Sequence, residues 1–271
     1  VYLLSPEGQL LARFNKQSGL ADDNVRAMLE DSQHGLWLAL DNGLARVEAS
    51  SAISQFRSEN GLQGNVLALA RHNDQIYAGT STGLFQLKTA EHSAVFTPIA
   101  GRNGQIVDLR TINGQLLVAT NKGLYRLNDQ QLELAADVGQ SVKVIASVPT
   151  APKQAWLGLQ QGLVLVELDA TGQWQLRRRY DDITGSVNSL QYDGEGALWV
   201  GTQTNGVYRL SAKQQWSHFD VSNGLPSINR TSVGVWHGQL LFATVEGMYQ
   251  FDSSRNQFTL HPQLGALFHK H

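Results

Sequence analysis

The chain has 271 residues, of which 16% are charged, with a formal net charge of −2 and no cysteine. This balance excludes a basic nucleic-acid footprint and a polybasic membrane surface, and the missing thiols exclude disulfides and thiolate metal sites while leaving the redox compartment open. No apolar run approaches the ~18 residues that span a bilayer, and residue 1 opens no signal peptide.

In chain order, Val1-Tyr2-Leu3-Leu4 reads as a strand that matches Val207-Tyr208-Arg209-Leu210 far downstream. The chain thus begins halfway through a repeating unit, and residues 1–14 supply that unit's two outer strands. Gly19-Leu20 before Asn24-Val25 is a linking segment that returns as Gly61-Leu62 before Asn65-Val66 and as Gly224-Leu225-Pro226 before Asn229. Glycine there reverses the chain, and a short asparagine satisfies local backbone groups. Val25-Arg26-Ala27-Met28-Leu29-Glu30-Asp31 would pass for a helix on propensity, but its counterpart Val187-Asn188-Ser189-Leu190-Gln191-Tyr192-Asp193 reads as a strand. Both are therefore predicted as the first, innermost strand of a unit.

The second strand, as in Gly35-Leu36-Trp37-Leu38-Ala39-Leu40, alternates its side chains between two faces. One face pairs a large residue with a tiny one in every unit: Trp37 and Ala39, Tyr77 and Gly79, Leu117 and Ala119, Trp156 and Gly158, Trp199 and Gly201, Leu241 and Ala243. The other face carries Leu38, Ala78, Val118, Leu157, Val200 and Phe242. A strand apolar on both faces needs cover on both, and the tiny residue admits a close neighbouring sheet. Polar turns closed by Gly43, Gly83, Gly123, Gly162, Gly206 and Gly247 follow, spaced 40, 40, 39, 44 and 41 residues apart. They suit tight hairpins with positive φ at the glycine. A third strand follows (Leu44-Ala45-Arg46-Val47, Leu124-Tyr125-Arg126-Leu127), then a polar turn and an outer strand such as Ile53-Ser54-Gln55-Phe56 or Gln215-Trp216-Ser217-His218-Phe219.

Four strands per unit and a period near forty residues predict an all-β fold, a β-propeller of four-stranded blades. Residues 15–261 hold six blades and residues 1–14 a half-blade, with 262–271 a tail or the start of another strand, so 1–271 reads as a single propeller domain. Completing the half-blade needs roughly twenty residues at ~5–6 per strand, more than follow His261. The count favours a seven-bladed ring closed from elsewhere in a longer chain; a six-bladed ring with an N-terminal extension is the alternative.

Gly196-Ala197-Leu198-Trp199-Val200-Gly201-Thr202, then Asn205-Gly206-Val207-Tyr208-Arg209-Leu210, closely resembles the two-component regulator propeller repeat, as does Gly224-Leu225-Pro226-Ser227 with Asn229. The fifth repeat is the nearest match. The fourth is the weakest, with Val148-Pro149-Thr150-Ala151-Pro152-Lys153 expanding one turn. The resemblance implies the periplasmic, extracytoplasmic input region of an inner-membrane sensor protein, joined by a transmembrane helix to a histidine kinase, a diguanylate cyclase or a DNA-binding output. WD and kelch signatures are absent. Asp169-Ala170-Thr171-Gly172-Gln173-Trp174 resembles a quinoprotein repeat but occurs once, so no cofactor is expected.

Catalytic and metal-binding arrangements are not expected. His34, His72 and His237 fall in turns between first and second strands, His92 in the next turn, His218 on an outer strand, and His261, His269 and His271 near the end, none at metal-ligand spacing. Arg177-Arg178-Arg179 reads as a charge-protected edge strand rather than an anion site. The sequon Asn229-Arg230-Thr231 reads as coincidence.

In a propeller the linkers entering strand one and the glycine hairpins after strand two share one face, and loops on a rigid scaffold carry function. The candidate ligand-binding residues are Asp22, Asp23, Asn24, Arg26 and Asn65, with Asn229 and Arg230, from linkers, and Asp41, Asn42, Asn121, Lys122, Gln203, Asn205 and Glu246 from hairpins. Arg102, Asn103, Asp182, Asn188, Gln160 and Gln161 adjoin them. Amides and mixed charge suit an oligosaccharide-like polar ligand or a protein partner, with no nucleic acid, the membrane engaged only through the parent chain, and a homodimer as one mode of signalling. The expected function is a non-catalytic sensor; the alternatives are a propeller lyase or hydrolase, or a pure interaction scaffold.

Overall fold

The computed structural model describes residues 1–4, 8, 10–32, 35–48, 56, 58–90, 93–101 and 104–265. The chain divides into two compact units, residues 1–63 with 87–97 and residues 64–86 with 98–271.

In the first unit β1 (Tyr2–Leu4) pairs antiparallel with β2 (Leu10–Arg13), with Tyr2 opposite Arg13, as predicted for the half-blade. Strands β3 (Val25–Glu30), β4 (Gly35–Leu40) and β5 (Gly43–Glu48) form a three-stranded antiparallel sheet. The segment with helical propensity is therefore strand, because Met28 and Leu29 pair across to Leu38 and Trp37. The fourth strand predicted around Ile53–Phe56 falls mostly outside the described residues. Phe56 itself meets Phe96 edge-on at 5.4 Å between ring centroids.

Five sheets of four antiparallel strands follow, each in chain order. They are β6 (Val66–His72), β7 (Gln75–Thr80), β8 (Leu84–Ala90) and β9 (Ser93–Pro98); β10 (Ile106–Ile112), β11 (Gln115–Thr120), β12 (Gly123–Asn128) and β13 (Gln131–Ala136); and β14 (Val142–Val148), β15 (Ala151–Leu159), β16 (Leu163–Leu168) and β17 (Trp174–Tyr180). The last two are β18 (Val187–Tyr192), β19 (Leu198–Thr202), β20 (Val207–Leu210) and β21 (Trp216–Phe219), and β22 (Ser232–Trp236), β23 (Gln239–Thr244), β24 (Gly247–Asp252) and β25 (Gln257–Leu260). These are propeller blades, and their order matches six repeats preceded by a half-blade. In the fourth repeat the extra residues do not widen a loop. Val148 pairs with Ala151 around a tight turn, and a bulge then restores the register at Ser147 and Ala155.

The large-then-tiny pattern has the physical basis expected. In the second unit, a Cβ on Gly79 would stand 2.5 Å from Ile106 of the next sheet, and one on Gly158 2.5 Å from Val187 of the next. One on Gly201 would stand 2.5 Å from the Thr231 carbonyl. The sheets pack at a distance that only a hydrogen or a methyl group allows. Leu117, Ala119, Leu157 and Val164 are fully buried between neighbouring sheets, and Trp199 packs with Phe219, Phe242 and Phe258 in the cluster between the last two.

Two devices stabilise the turns. The hydroxyls of Thr80, Thr120, Thr202 and Thr244 each donate to the carbonyl of the hairpin glycine, at 3.2, 2.9, 2.9 and 2.9 Å. The linking segments open with 3-10 turns, Lys16–Ser18, Ser58–Asn60 and Val221–Asn223, each followed by a left-handed glycine. Asn15 and Asp220 cap the first and third with reciprocal side-chain bonds.

Strand one carries a bulge in five sheets, breaking the register before Ala27, Ala68, Asp108, Val144 and Ser189. A bulge re-aims the following side chain. At two of these positions that side chain reaches the next sheet: Asp108 Oδ2 accepts the Ile145 N–H at 2.8 Å, and Ser189 Oγ accepts the Val233 N–H at 2.8 Å. Burial pushes the Asp108 carboxyl up from its ordinary value, opposed by the N–H of Ile145, by Arg110 and by the N–H of Leu109. A carboxyl whose folded pKa is raised loses stability as pH climbs through the range above the unfolded value of ~3.9. Asp108→Asn keeps an acceptor for Ile145 and cannot ionise. Its denaturation free energy is expected to gain on the wild type as pH rises from about 4 towards neutrality. Parallel pH profiles for the two proteins would show that Asp108 titrates normally.

Candidate functional site

Within each sheet, linker and hairpin meet at the same end, as the sequence pattern predicts. The residue after strand two donates its N–H to the residue before strand one: Asp41 to Asn24 (3.2 Å), Ser81 to Asn65 (2.9 Å), Asn121 to Gln105 (3.3 Å), Gln160 to Ser141 (3.1 Å) and Gln203 to Ser186 (2.8 Å). In the first unit this gathers Asn24, Arg26 and Asp41. Arg26 engages both Asp41 oxygens, Nε to Oδ1 at 2.5 Å and Nη2 to Oδ2 at 3.1 Å, while Asn24 Nδ2 donates to Oδ2 at 3.1 Å. Asp22 accepts the Asn24 N–H at 3.0 Å, which, helped by Lys16, holds its carboxyl below the usual value against the opposing effect of burial. Asp23 accepts the Lys16 N–H at 2.6 Å, and Asn42 is exposed in the hairpin.

In the second unit the Asn65 N–H donates to Ser81 Oγ at 3.0 Å. The amides of Lys122 and Glu246 donate to the hydroxyls of Thr120 and Thr244. Asn205 Nδ2 donates to Thr184 Oγ1 and to the Tyr208 hydroxyl, and its carbonyl pairs with His218 Nε2 at 2.9 Å. The His218 ring stacks on Tyr208 at 4.4 Å. Arg230 adopts φ +54 and its N–H donates to the Gln203 carbonyl at 2.8 Å, joining the fifth sheet's hairpin to the sixth sheet's linker. The Asn229 N–H donates to Ser227 Oγ at 3.1 Å. Gln140 and Gln161 bond reciprocally, Asp182 is exposed, and Asn188 Oδ1 accepts from Ser189 Oγ. In the Asn229-Arg230-Thr231 sequon Thr231 is fully buried, whereas Asn229 and Arg230 are exposed. Arg102, Asn103, His34, His92, His269 and His271 lie outside the described residues.

A second set of polar residues, not anticipated from the sequence, occupies the opposite end of the sheets, where strand one turns into strand two. Asp31 Oδ2 accepts from Trp37 Nε1 at 2.9 Å and from Arg46 Nε at 2.8 Å, and the guanidinium lies 6.0 Å from the centre of the indole. In the fifth repeat Asp193 Oδ2 accepts from Trp199 Nε1 at 2.8 Å and pairs with Arg209 at 3.5 Å, with the guanidinium over the indole at 5.4 Å. The signal was visible as an aspartate six residues before each of these tryptophans. The triad ties three strands of one sheet through one carboxylate, a structural use of charge.

Two clefts of the second unit open at this end. One, of about 820 Å³, is lined by His72, Gln75, Gln115 and Arg126 among others. The other, of about 430 Å³, is bordered by Asp193, Arg209, Gln239 and Gln250. Burial lowers the His72 pKa, which favours the neutral ring, and His72 Nδ1 lies 3.1 Å from Thr111 Oγ1. Asp169 accepts from both the hydroxyl and the N–H of Thr171, from the Gln173 N–H and from Gln175. Led by the Thr171 hydroxyl, these bonds bring its pKa to about 2. The quinoprotein-like segment is thus a self-bonded turn. Arg177 pairs with Glu167 at 2.5 Å and Arg179 donates to the Val138 carbonyl at 2.7 Å, while Arg178 lies 4.7 Å from the centre of the Tyr180 ring. All three arginines have structural partners. Among the described residues no group of three or more His, Asp or Glu is placed to hold a metal.

Residues 19–42 match the family model for the two component regulator propeller. Residues 19–42 carry one two component regulator propeller repeat. The match falls on the first repeat, whereas the sequence pattern points first to the fifth. The chain is similar to the extracellular domain of the hybrid two component system BT3049 from B. thetaiotaomicron, with 19% identity and a TM-score of 0.72 over 96% of this chain and 38% of that one. It is also similar to the extracellular domain of the one component system BT4673 from the same organism (15% identity, TM-score 0.61, 97% and 43% covered). Virginiamycin B lyase from Staphylococcus aureus shares the fold more distantly, with 12% identity and a TM-score of 0.53 over 72% and 69%. The chain therefore spans less than half the length of the two sensor domains. No curated protein matches it. Among the described residues no helix is long and apolar enough to cross a membrane.

Proposed function

We propose that this chain is a non-catalytic, periplasmic sensory propeller of a membrane-anchored bacterial signalling protein. The observation that carries the reading is the regulator-propeller repeat, set in a fold that aligns over 96% of its length with the extracellular domain of a hybrid two component system. The end where linkers and hairpins meet is the proposed surface for a polar ligand or a protein partner. In the second unit this end presents Asn205, Asn229 and Arg230; the first unit carries Asn24, Arg26 and Asp41 at the corresponding end of its own sheet. A ligand there acts by binding one signalling state better than the other, and shifts the equilibrium by no more than that difference.

Thermal unfolding against oligosaccharides, amino acids and small anions tests direct sensing. A ligand that binds only the folded chain stabilises it by RT ln(1 + [L]/Kd), about 2.7 kcal/mol at a hundredfold excess over Kd. One chemical class is expected to raise the melting temperature, and Asn24→Ala or Asn229→Ala to abolish the rise. A flat response across the library would overturn ligand binding at this surface and leave a protein partner as the input.

A further inference from the structure

The repeats supply an internal standard for the larger cleft. Strand register aligns five cross-strand pairs: Trp37 with Arg46, Tyr77 with Gln86, Leu117 with Arg126, Trp156 with Leu165, and Trp199 with Arg209. Three of the five carry arginine on strand three. In the first and fifth repeats that arginine meets an aspartate of its own sheet, Asp31 at 2.8 Å and Asp193 at 3.5 Å. The same register puts Ile112 at that place in the third repeat, opposite Gln115, and His72 in the second, opposite Gln75. Arg126 has thus kept the cation of the triad and lost the aspartate that Asp31 and Asp193 supply elsewhere. What remains to it is the Gly172 carbonyl at 2.6 Å, and Glu133 at 3.5 Å, whose other oxygen is taken by Asn128.

The surroundings of Arg126 supply further donors. Trp174 Nε1 donates to Gln115 Oε1 at 2.8 Å. An indole can only donate, so the Gln115 amide is fixed with its NH2 unclaimed by that contact. Gln86 Nε2 reaches Gln75 Oε1 at 3.5 Å, which likewise orients the Gln75 NH2 away from Gln86. Arg126, Gln75 and Gln115 all line the 820 Å³ cleft, a volume within the range of small-molecule sites. In the smaller cleft the equivalent Arg209 is held by two carboxylates, Asp193 and Glu195, where Arg126 has only Glu133.

We infer that the cleft beside Arg126 binds a small organic carboxylate, which supplies from outside the anion that Asp31 and Asp193 supply in the intact triads. An arginine receives a carboxylate through directional, charge-assisted hydrogen bonds, and the glutamine NH2 groups complete an acceptor-seeking site. The site lies at the opposite end of the sheets from the surface proposed for sensing, and stands whether or not that surface binds a ligand.

The test is calorimetric titration of the purified protein with acetate, succinate and citrate, and with glycerol and glucose as uncharged controls. At least one carboxylate is expected to bind saturably and the uncharged probes not to bind here. Arg126→Gln is expected to weaken that carboxylate by at least about tenfold, as befits the loss of a charged hydrogen-bond donor. Arg126 also holds the Gly172 carbonyl, so a second variant guards against a loosened turn. Gln75→Glu, at an exposed position, adds a negative charge at the rim and is expected to weaken carboxylate binding several-fold while the melting temperature stays near wild type. Arg209→Gln, in the other cleft, leaves the affinity unchanged. Absence of saturable binding by all three carboxylates, or binding unaffected by both Arg126→Gln and Gln75→Glu, overturns the proposal.

Discussion

Replacing Trp199 with alanine is expected to cost about 3–5 kcal/mol of stability, the range for large-to-small changes in well-packed cores. Trp199 is 2% exposed, stacks on Phe219 at 5.5 Å and meets Phe242 and Phe251 edge-on at 5.2 and 4.9 Å. Its removal leaves a cavity that rigid strands on both sides cannot close, and takes from Asp193 its indole donor. At ~2–4 °C per kcal/mol for a chain of this size, the unfolding temperature should fall by roughly 10 °C. Trp199→Phe separates the two losses. It retains most of the packing and gives up the hydrogen bond, so it should cost about 1–3 kcal/mol. A calorimetric midpoint for Trp199→Ala within a degree or two of wild type would mean that this aromatic cluster does not hold the last two sheets together.

The second large effect lies at the tiny position of strand two. Gly158→Val would set a branched side chain where a bare Cβ already stands 2.5 Å from both Val144 and Val187. Overpacking of this kind typically costs about 1–3 kcal/mol, and more where neither neighbour can yield. Both neighbours here are β-branched side chains on strand one, one from the same sheet and one from the next, with few rotamers to offer. Gly158→Ala should cost less, since Ala119 fills the equivalent place in the third repeat and is fully buried there. The measurement is denaturant unfolding of the three proteins. An order of stability other than Gly, then Ala, then Val would contradict the close approach of β15 to β18.

These two predictions rest on features the sequence displayed, because strand alternation and the recurrence of glycine are local. Trp199 and Gly201 share a face by parity alone, and their counterparts repeat it. Comparison between repeats also decided against a helix at Val25–Glu30, where propensity pointed the other way. Other features depend on which side chains meet across strands. The six-residue spacing from Asp31 to Trp37 and from Asp193 to Trp199 was visible, but its partner Arg46 or Arg209 becomes apparent only once register is known. The bulges in strand one are invisible to a strict two-residue period. They turn Asp108 and Ser189 towards the next sheet, where alternation alone would not send them. The residues gathered from linkers and hairpins do meet at one end of each sheet. There many are engaged in their own turns, as Asp41 is with Arg26 and Asn24. The large cleft was illegible for a different reason: it depends on what Ile112 and His72 replace, and replacement has meaning only against aligned strands.

The acceptors that Asp108 and Ser189 offer to Ile145 and Val233 bear on how this molecule responds to stress. Each leaves a backbone amide of one repeat dependent on a side chain of the repeat before it. Coupling between neighbours is then carried partly by polar bonds that run in one direction along the chain, from the earlier sheet to the later. Loosening β10 withdraws a partner from β14, whereas loosening β14 leaves Asp108 free to turn to water. Amide exchange should register that polarity: protection at Ile145 falls when the third repeat is destabilised, and Leu109 is less affected when the fourth is.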